Sequence, residues 1–467
     1  MGRKLVQTPH MTAPAQDRLA PHSVFRSIIQ NTAWLLGGKG FGGVLSIAYL
    51  AILSRSLGLK DFGHFALIFG TSQALVAIAG FQTWQAVVRY GAAYVHDGDW
   101  VRFSRLSMLC GMIDALAAVI GCTIAIVIFF GFAGPLKLNP EYVVMGCAFN
   151  CAMVWARVSA PTGMLRALNR FDMAVYVEAF VPISRLLAAS AIWFAGPNVG
   201  RFLLAWAVID LSCAVIYWTI ALRLSPRGLD FAGIRQWRQT VKENPGIERF
   251  LLIVSAGSTL DAAYKQGPLL AVGWFLGTSA AGLYRLADQL AQGFSKVSTL
   301  IARAIYPEIS RARVAATSEQ FRRMVRRISM VAGLAGATVV VAALTGGKAL
   351  LALIGGSAFE RGAVILVPLA VASSFELASV AFEPVLHSTG VARYALFGRM
   401  VTVASLCVAV LALKSMGAIG IAWAVAAAGA AGYVALGVMA LTTLGRLEDP
   451  EDALAHHGME EANSTQD

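Results

Sequence analysis

Charged residues are scarce in this chain, and their scarcity excludes most classes of soluble protein. Only 14% of the 467 residues are charged, whereas 57% are hydrophobic and the mean hydropathy is +0.65. Soluble domains carry about 25% charged residues. The apolar residues fall in long blocks, and roughly 20 of them suffice for a helix that crosses a bilayer. The composition therefore predicts an all-α polytopic membrane protein.

The sequence also lacks the clusters that metal sites and catalytic sites require. Its six cysteines lie inside apolar blocks and form no Cys-x-x-Cys pair, so neither a disulfide framework nor a zinc site is indicated. The segment GGKGFGG at 37–43 is rich in glycine but lacks the GxxxxGK[ST] spacing of a phosphate-binding loop. No Ser/His/acid or paired-carboxylate pattern appears. We expect no metal, no cofactor and no chemical reaction, which means that the protein is not an enzyme.

Twelve spans follow from the apolar blocks, with Gly80 and Pro268 interrupting the second and the seventh. Most of the 38 Lys and Arg residues lie in the segments that these spans place on one side. The positive-inside rule makes that side cytoplasmic and places both termini there. The predicted spans are 29–54, 62–84, 106–132, 142–165, 173–195, 202–222, 250–275, 282–304, 328–346, 363–386, 395–414 and 418–442.

The same topology accounts for the net charge of +12, so we expect no nucleic-acid partner. Residues 1–22 lack the apolar stretch of a cleaved signal peptide. The short loops leave no room for an extracytoplasmic catalytic domain or a nucleotide-binding domain. Membrane lipids are expected partners, with anionic headgroups meeting the loop between spans 6 and 7. The basic and aromatic residues of that loop are Arg235, Trp237, Arg238 and Lys242.

Two sequence patterns of the first half recur in the second half at almost the same spacing. Leu57-Gly58-x4-Gly63-His64-Phe65 matches Leu276-Gly277-x4-Gly282-Leu283-Tyr284. Ala167-Leu168 with Ala174 and Tyr176 matches Val385-Leu386 with Ala392 and Tyr394. Because each half contains an even number of spans, we expect two pseudo-symmetric six-helix lobes with one orientation around a central cavity.

The predicted organisation has five parts. They are a cytoplasmic N-terminal segment (1–28), an N-lobe (29–222), a cytoplasmic linker (223–249), a C-lobe (250–442) and an acidic, disordered cytoplasmic tail (443–467).

Several charged residues fall in or near the spans, where each costs about 2.5–3.5 kcal/mol on insertion scales. They must face the interior of the bundle or a wet cavity. The cations are Lys39, Arg157, Arg185, Lys265, Arg285 and Lys296, and the anions are Asp114, Glu178, Asp210, Asp261, Asp288, Glu376 and Glu383. On span 8 the polar residues repeat at intervals of three and four and form one stripe.

A wet cavity that holds Lys and Arg without local acidic partners suits an anionic ligand such as a phosphate. For Asp261 and Lys265, a salt bridge is as plausible as contact with a substrate. Asp114 and Asp210 are more readily explained by bonds to backbone or Ser groups. The candidate substrate-binding cations are Lys39, Arg157, Lys265, Arg285 and Lys296, and the candidate coupling or cavity groups are Asp261, Asp288, Gln289, Gln292, Glu376 and Glu383.

Four segments resemble a known group of membrane proteins. They are Leu57-Gly58-x4-Gly63, its repeat at Leu276–Tyr284, Tyr306-Pro307-Glu308-Ile309-Ser310, and Leu351–Ala363 with Gly355-Gly356-x-x-Phe359. Over about residues 24–442, the chain resembles the Wzx-like polysaccharide-biosynthesis flippases of the multidrug/oligosaccharidyl-lipid/polysaccharide (MOP) exporter superfamily.

The resemblance implies twelve helices in two lobes, in the bacterial inner membrane. It also implies that the substrate is an oligosaccharide repeat unit on undecaprenyl diphosphate, used for O-antigen or exopolysaccharide. Polysaccharide polymerase or export machinery would be a further partner. The cationic cavity of the family carries over to Lys39, Lys265, Arg285 and Lys296 by span position. The multidrug branch uses carboxylates instead, a role open to Asp261, Glu376 and Glu383.

We therefore expect a flippase that works by alternating access. A cation-coupled multidrug exporter of the same superfamily is the first alternative. A membrane glycan polymerase or ligase would need a large extracytoplasmic loop, and the duplicated halves argue against an ion channel.

Overall fold

All regular elements in the described part of the chain are helical. The computed structural model describes residues 21–132, 134, 138–226, 235–293, 318–380, 382, 385–386 and 393–445, except for the side chains of 21–41, 171–172, 318–325, 327–328, 331 and 444–445. Residues 1–41 and 42–467 form two separate units. The contacts described below lie within the second unit.

Most of the described helices overlap the predicted spans. The helices are α1 Pro21–Ala79, α2 Thr83–His96, α3 Trp100–Gly131, α4 Val143–Trp155, α5 Ala160–Ala167, α6 Phe171–Ala195, α7 Val199–Leu224, α8 Trp237–Glu243, α9 Ile247–Leu276, α10 at 278–293, α11 Ser318–Gly355, α12 Ala363–Ala378, α13 Arg393–Leu413 and α14 Gly417–Gly445. Helix α1 runs through the first two predicted spans, and α2 and α8 lie almost wholly between spans. Large apolar side chains such as Phe194 and Phe130 are exposed on the outer surface, as lipid-facing residues are.

Eight helical stretches among the described residues are long and apolar enough to cross a membrane. They are Gly42–Ala79, Trp100–Gly131, Pro140–Ala167, Met173–Ala195, Val199–Leu224, Ala332–Gly355, Ser357–Ala378 and Arg393–Thr443. The predicted break at Gly80 is confirmed, because α1 ends at Ala79 and α2 begins at Thr83. Pro268, by contrast, lies buried inside the continuous helix α9.

The two predicted Leu-Gly repeats have the same backbone geometry. Gly58 has φ 69° and ψ 179°, and Gly277 has φ 91° and ψ −175°. This left-handed, extended conformation strains residues that carry a Cβ, so glycine is the residue that suits it. At Gly58 the chain turns between the first two predicted spans, and at Gly277 it turns between α9 and α10.

The repeats also contact each other reciprocally. A Cβ atom at Gly63 would lie 1.9 Å from the backbone oxygen of Thr278, and one at Gly282 would lie 2.6 Å from that of Leu59. Leu59 and Thr278 directly follow Gly58 and Gly277 in their repeats. The first repeat therefore contacts the second in the same way as the second contacts the first, as at a two-fold axis.

Further contacts surround this crossing. Arg55 donates from Nε to the backbone oxygen of Ile354 at 3.2 Å, near the end of α11. The rings of Phe62 and Phe359 pack edge to face with centroids 5.6 Å apart. Farther along the chain, α2–α7 contact one another, and α9 packs on α13 and α14, which together with α12 form a second group.

Candidate functional site

Two arginines from different helices lie against one phenyl ring. Arg285 of α10 is buried, and its guanidinium carbon is 5.7 Å from the ring centre of Phe69 on α1. Arg185 of α6 lies 5.6 Å from the same ring centre. Arginines at this range interact favourably with the ring quadrupole, more strongly when they are removed from water. We call Phe69, Arg185, Arg285, Asp210 and Asp288 the arginine site.

Each arginine of this site has a carboxylate partner. Arg285 Nη1 lies 3.6 Å from Asp288 Oδ2, one turn along α10. Arg185 Nη2 donates to Asp210 Oδ2 of α7 at 2.6 Å. Ion pairing compensates for part of the cost of burying these charges, although desolvation makes such pairs poor sources of net stability. Buried charges with so little stabilising value are candidates for function.

Aromatic residues fix the position of Arg185. Its guanidinium lies 5.5 Å from the ring of Trp206 on α7. Trp206 is buried and packs edge to face on Tyr49, Phe65 and Phe202. Sequence reasoning counted Arg185 and Asp210 among the charges in the spans but did not select them as site residues. The available signal was a single basic residue on one span and a single acidic residue on the next.

Several predicted residues converge on a cavity of about 200 Å³ between α9, α10 and α12. Lys265, Asp288, Gln292 and Glu376 line it together with Ser373 and the tyrosines Tyr264 and Tyr284. Gln292 donates to Asp288 at 2.8 Å. Water takes up about 30 Å³ per molecule in the liquid, so this volume corresponds to roughly six or seven waters, which is also enough for a hydrated ion.

Asp261 has a partner that the sequence did not indicate. Its carboxylate lies 2.8 Å from Arg399 of α13, and not in an ion pair with Lys265 one turn away. This pair borders a neighbouring cavity of about 130 Å³, which Glu376 also lines. Lys265 itself is exposed. Gln289 approaches the Arg285 guanidinium to 2.8 Å, with its amide oxygen as the acceptor.

Arg157 lies elsewhere, at the break between α1 and α2. Its Nη2 donates to the backbone oxygen of Phe81 at 2.5 Å. Asp114 accepts the expected backbone bond from the N–H of Ala160, and its hydroxyl partner is Thr83 and not a serine. The same expectation is wrong for Asp210, which pairs with Arg185 on the neighbouring helix. The side chains of Lys39, Lys296 and Glu383 lie outside the described residues, so their roles stay predictions.

The segment between α7 and α9 presents the predicted basic residues to the outside. Arg235, Trp237, Arg238 and Lys242 are all exposed, and the Arg238 guanidinium lies 5.3 Å from the Trp237 ring centre. Arg105 of α3, which is buried, pairs with Glu243 at 3.2 Å. The segment is therefore fastened to α3 on one side while its basic side chains remain available to lipid headgroups.

Comparisons with known proteins identify the family. The model of a family described as polysaccharide biosynthesis protein matches residues 28–313. The inner membrane protein YghQ of Escherichia coli (strain K12) is 25% identical over 334 residues, which cover 71% of this chain and 93% of that protein.

Solved structures share the fold. An inward-facing multidrug resistance MATE family transporter of the MOP superfamily aligns with a TM-score of 0.68 at 13% identity, over 86% of this chain and 94% of that one. The lipid II flippase MurJ in an inward closed conformation aligns with a TM-score of 0.65 at 10% identity, over 87% and 88%. The chain belongs to the polysaccharide biosynthesis protein family and has the all-α polytopic fold of the MOP superfamily.

Proposed function

We propose that the protein is a flippase that moves an oligosaccharide linked to a polyprenyl diphosphate across the bacterial inner membrane. The observation that carries the proposal is the arginine site, where Arg185 and Arg285 reach one ring from opposite halves of the chain. A phosphate group accepts hydrogen bonds from arginine with two parallel donors. Membership of a polysaccharide biosynthesis family supports a glycan-linked substrate over other anions.

In this proposal the sugar-diphosphate head occupies the space between the two lobes (29–222 and 250–442), and the polyprenyl tail stays in lipid. Arg285 neutralises the diphosphate, and Lys265, which lines the neighbouring cavity, adds to the positive field. The lobes then rock against each other, as transporters with parallel repeats do. No bond is broken during this movement. The product serves O-antigen or exopolysaccharide synthesis, with a polymerase or export complex as the next partner.

In this proposal both termini lie in the cytoplasm, because the exposed basic residues of the segment 235–242 then face anionic headgroups on the inner leaflet. The head therefore enters from the side on which α2 ends and α9 begins. The described contacts around Gly63 and Gly282 lie near the opposite end of α9, which corresponds to a state closed toward the outside.

A cation-coupled multidrug exporter is the second candidate. The carboxylates Asp288 and Glu376 on the 200 Å³ cavity favour it, since a cavity of that size accommodates a cation. A cation would compete with Arg399 for Asp261, at 2.8 Å, and with Arg285 for Asp288, at 3.6 Å. The carboxylates and the arginines are also compatible in one protein, where a cation in the cavity would drive movement of the lipid-linked substrate.

A deletion strain separates the two candidates. A flippase deletion stops polymer export and causes lipid-linked oligosaccharide to accumulate on the cytoplasmic face, where a membrane-impermeant enzyme cannot reach it in intact spheroplasts. A drug exporter deletion leaves the lipid-linked sugars unchanged and increases sensitivity to cationic drugs. Normal polymer export together with normal lipid-linked sugar turnover in the deletion strain would refute the flippase proposal.

A further inference from the structure

Two helical interruptions of the first half lie close together, one at the end of the apolar stretch Gly42–Ala79 and one within the stretch Pro140–Ala167. The backbone is non-helical between Ala79 and Thr83 and again between Trp155 and Ala160. The two breaks are in contact, because the hydroxyl oxygens of Thr83 and Ser159 lie 2.7 Å apart. Helix ends leave backbone N–H and C=O groups unpaired. At membrane depth these groups must find partners within the protein.

Asp114 supplies partners to both helices that begin at the breaks. Its carboxylate accepts from the Thr83 hydroxyl at 2.8 Å, at the start of α2, and from the Ala160 backbone N–H at 2.8 Å, at the start of α5. The Ser159 hydroxyl accepts from the backbone N–H of Trp84 at 3.1 Å. A negative charge at a helix N-terminus is favourable. One carboxylate from α3 therefore joins two helix starts.

Arg157 stabilises the opposite end, where α1 stops. Besides its bond to the Phe81 oxygen, its guanidinium fills the space beside Gly80, where a Cβ atom would lie 1.3 Å from Nη1. A cation at a helix C-terminus is favourable. The adjoining cavity of about 90 Å³ has room for about three waters. The N-terminal ends of α2 and α5 already face the Asp114 carboxylate. Together, these observations favour a positioning role for Arg157 over contact with a diphosphate.

The first break presents Gln82 to α9. Its backbone N–H donates to Ser255 Oγ at 3.2 Å, and its side-chain Nε2 donates to Ser258 Oγ at 2.6 Å. Inside a continuous helix, this backbone N–H would instead donate to the backbone oxygen four residues earlier. The Trp84 indole donates to Gln82 Oε1 at 2.9 Å and so fixes which end of the amide faces α9. The break is thus what makes this contact possible.

We propose that Asp114 and Arg157 are positioning residues that hold the two breaks together. Gln82 then fastens the first half to α9 and keeps the transporter closed on the side where α9 begins. We call the bonds of Gln82 to Ser255 and Ser258 the Gln82 latch. The proposal rests on the proposed function only in taking closure to be a step of transport. The latch itself is measured without substrate. Transport then requires that the latch open.

Electron paramagnetic resonance distances between α2 and α9 test the proposal in the full chain. Spin labels are placed at Ala93→Cys and Glu248→Cys, two exposed positions outside the latch, with the exposed Cys407 replaced by Ser. Gln82→Ala removes the side-chain bond without leaving a buried charge. Because one hydrogen bond contributes about 1 kcal/mol net, we expect the ratio of open to closed molecules to rise about fivefold.

The variants Asp114→Asn and Arg157→Lys test the positioning role. Both retain approximate side-chain volume, and both should shift the distance distribution in the same direction as Gln82→Ala. If Asp114 acts through the latch, the double variant Asp114→Asn/Gln82→Ala matches Gln82→Ala alone, because coupled residues are not additive. Thr123→Val serves as the control, since the Thr123 hydroxyl bonds only within α3, to Val119.

Two results would overturn the proposal. An unchanged distance distribution in Gln82→Ala would show that the latch does not control closure. A shift in Gln82→Ala that is absent from Asp114→Asn and Arg157→Lys would show that these residues do not position it. Neither result bears on the identity of the substrate, which the deletion strain tests separately.

Discussion

Arg285 gives the most direct test of the proposed function, because its charge can be removed with or without that of its partner. About a tenth of its side chain is exposed, and Nη1 lies 3.6 Å from Asp288. Arg285→Ala leaves Asp288 buried without its cationic partner, which costs about 3–5 kcal/mol. Truncating a buried charge at an interface costs about 2–5 kcal/mol of binding. At 1.4 kcal/mol per factor of ten, substrate affinity should fall by about 30-fold or more.

The double variant Arg285→Ala/Asp288→Ala separates these two effects. If Arg285 serves only to neutralise Asp288, removing both charges restores the protein and its activity. If Arg285 binds the diphosphate, the double variant regains abundance in the membrane but remains defective in export. Arg285→Lys keeps the charge and loses the two parallel donors, so we expect an intermediate defect.

The assay combines polymer export in a complemented deletion strain, lipid-linked oligosaccharide in the membrane and immunoblots of the protein. Lys348→Ala is the control, because Lys348 is 73% exposed and pairs with Glu360 at the surface, where ion pairs contribute at most about 1 kcal/mol. Normal export by Arg285→Ala, or full recovery of export by the double variant, would refute the assignment of Arg285 to the substrate.

Three further predictions concern the scaffold. Gly63→Ala places a Cβ atom against the Thr278 oxygen and should lower the stability measured in a thermal melt by about 1–3 kcal/mol. The control Gly43→Ala, which has no atom within 4 Å, should not lower it. Equal melting temperatures of the two variants would contradict this. Arg105→Ala breaks the pair with Glu243, so trypsin should cut the segment 235–242 faster, and an unchanged rate would show that the pair does not fasten it. Gly80→Ala displaces the Arg157 guanidinium, and the double variant Gly80→Ala/Arg157→Ala should melt closer to Arg157→Ala than additivity allows; strict additivity would argue against the contact.

The sequence predicted the structure correctly where a residue type has one usual structural role. Glycines at the same place in two repeats predicted a duplication, and Gly58 and Gly277 have matching backbone angles. Gly80 predicted a break because glycine destabilises helix interiors. Pro268 gave the same signal without a break, and the structure contains it in a continuous, buried stretch of α9.

Partners on other helices could not be predicted in the same way. Asp261 and Lys265 satisfy the spacing of an ion pair on one helix, but Asp261 pairs with Arg399, more than a hundred residues later. Arg185 and Asp210 pair across adjacent helices. The hydrophobic pattern specifies which face of a helix is buried, and it does not specify the rotation and height at which two helices meet, on which such pairs depend.

The reciprocal glycine contact has a mechanical consequence. With backbone against backbone at Gly63 and Gly282, the halves have little freedom to slide there, so this crossing is the pivot of the rotation that opens the opposite side. α9 contains 30 residues and ends beside the pivot, so its first turn lies roughly 45 Å away at 1.5 Å per residue. A rotation of about 10° would then carry that distant end through roughly 8 Å, which makes a small angle sufficient to admit a bulky headgroup.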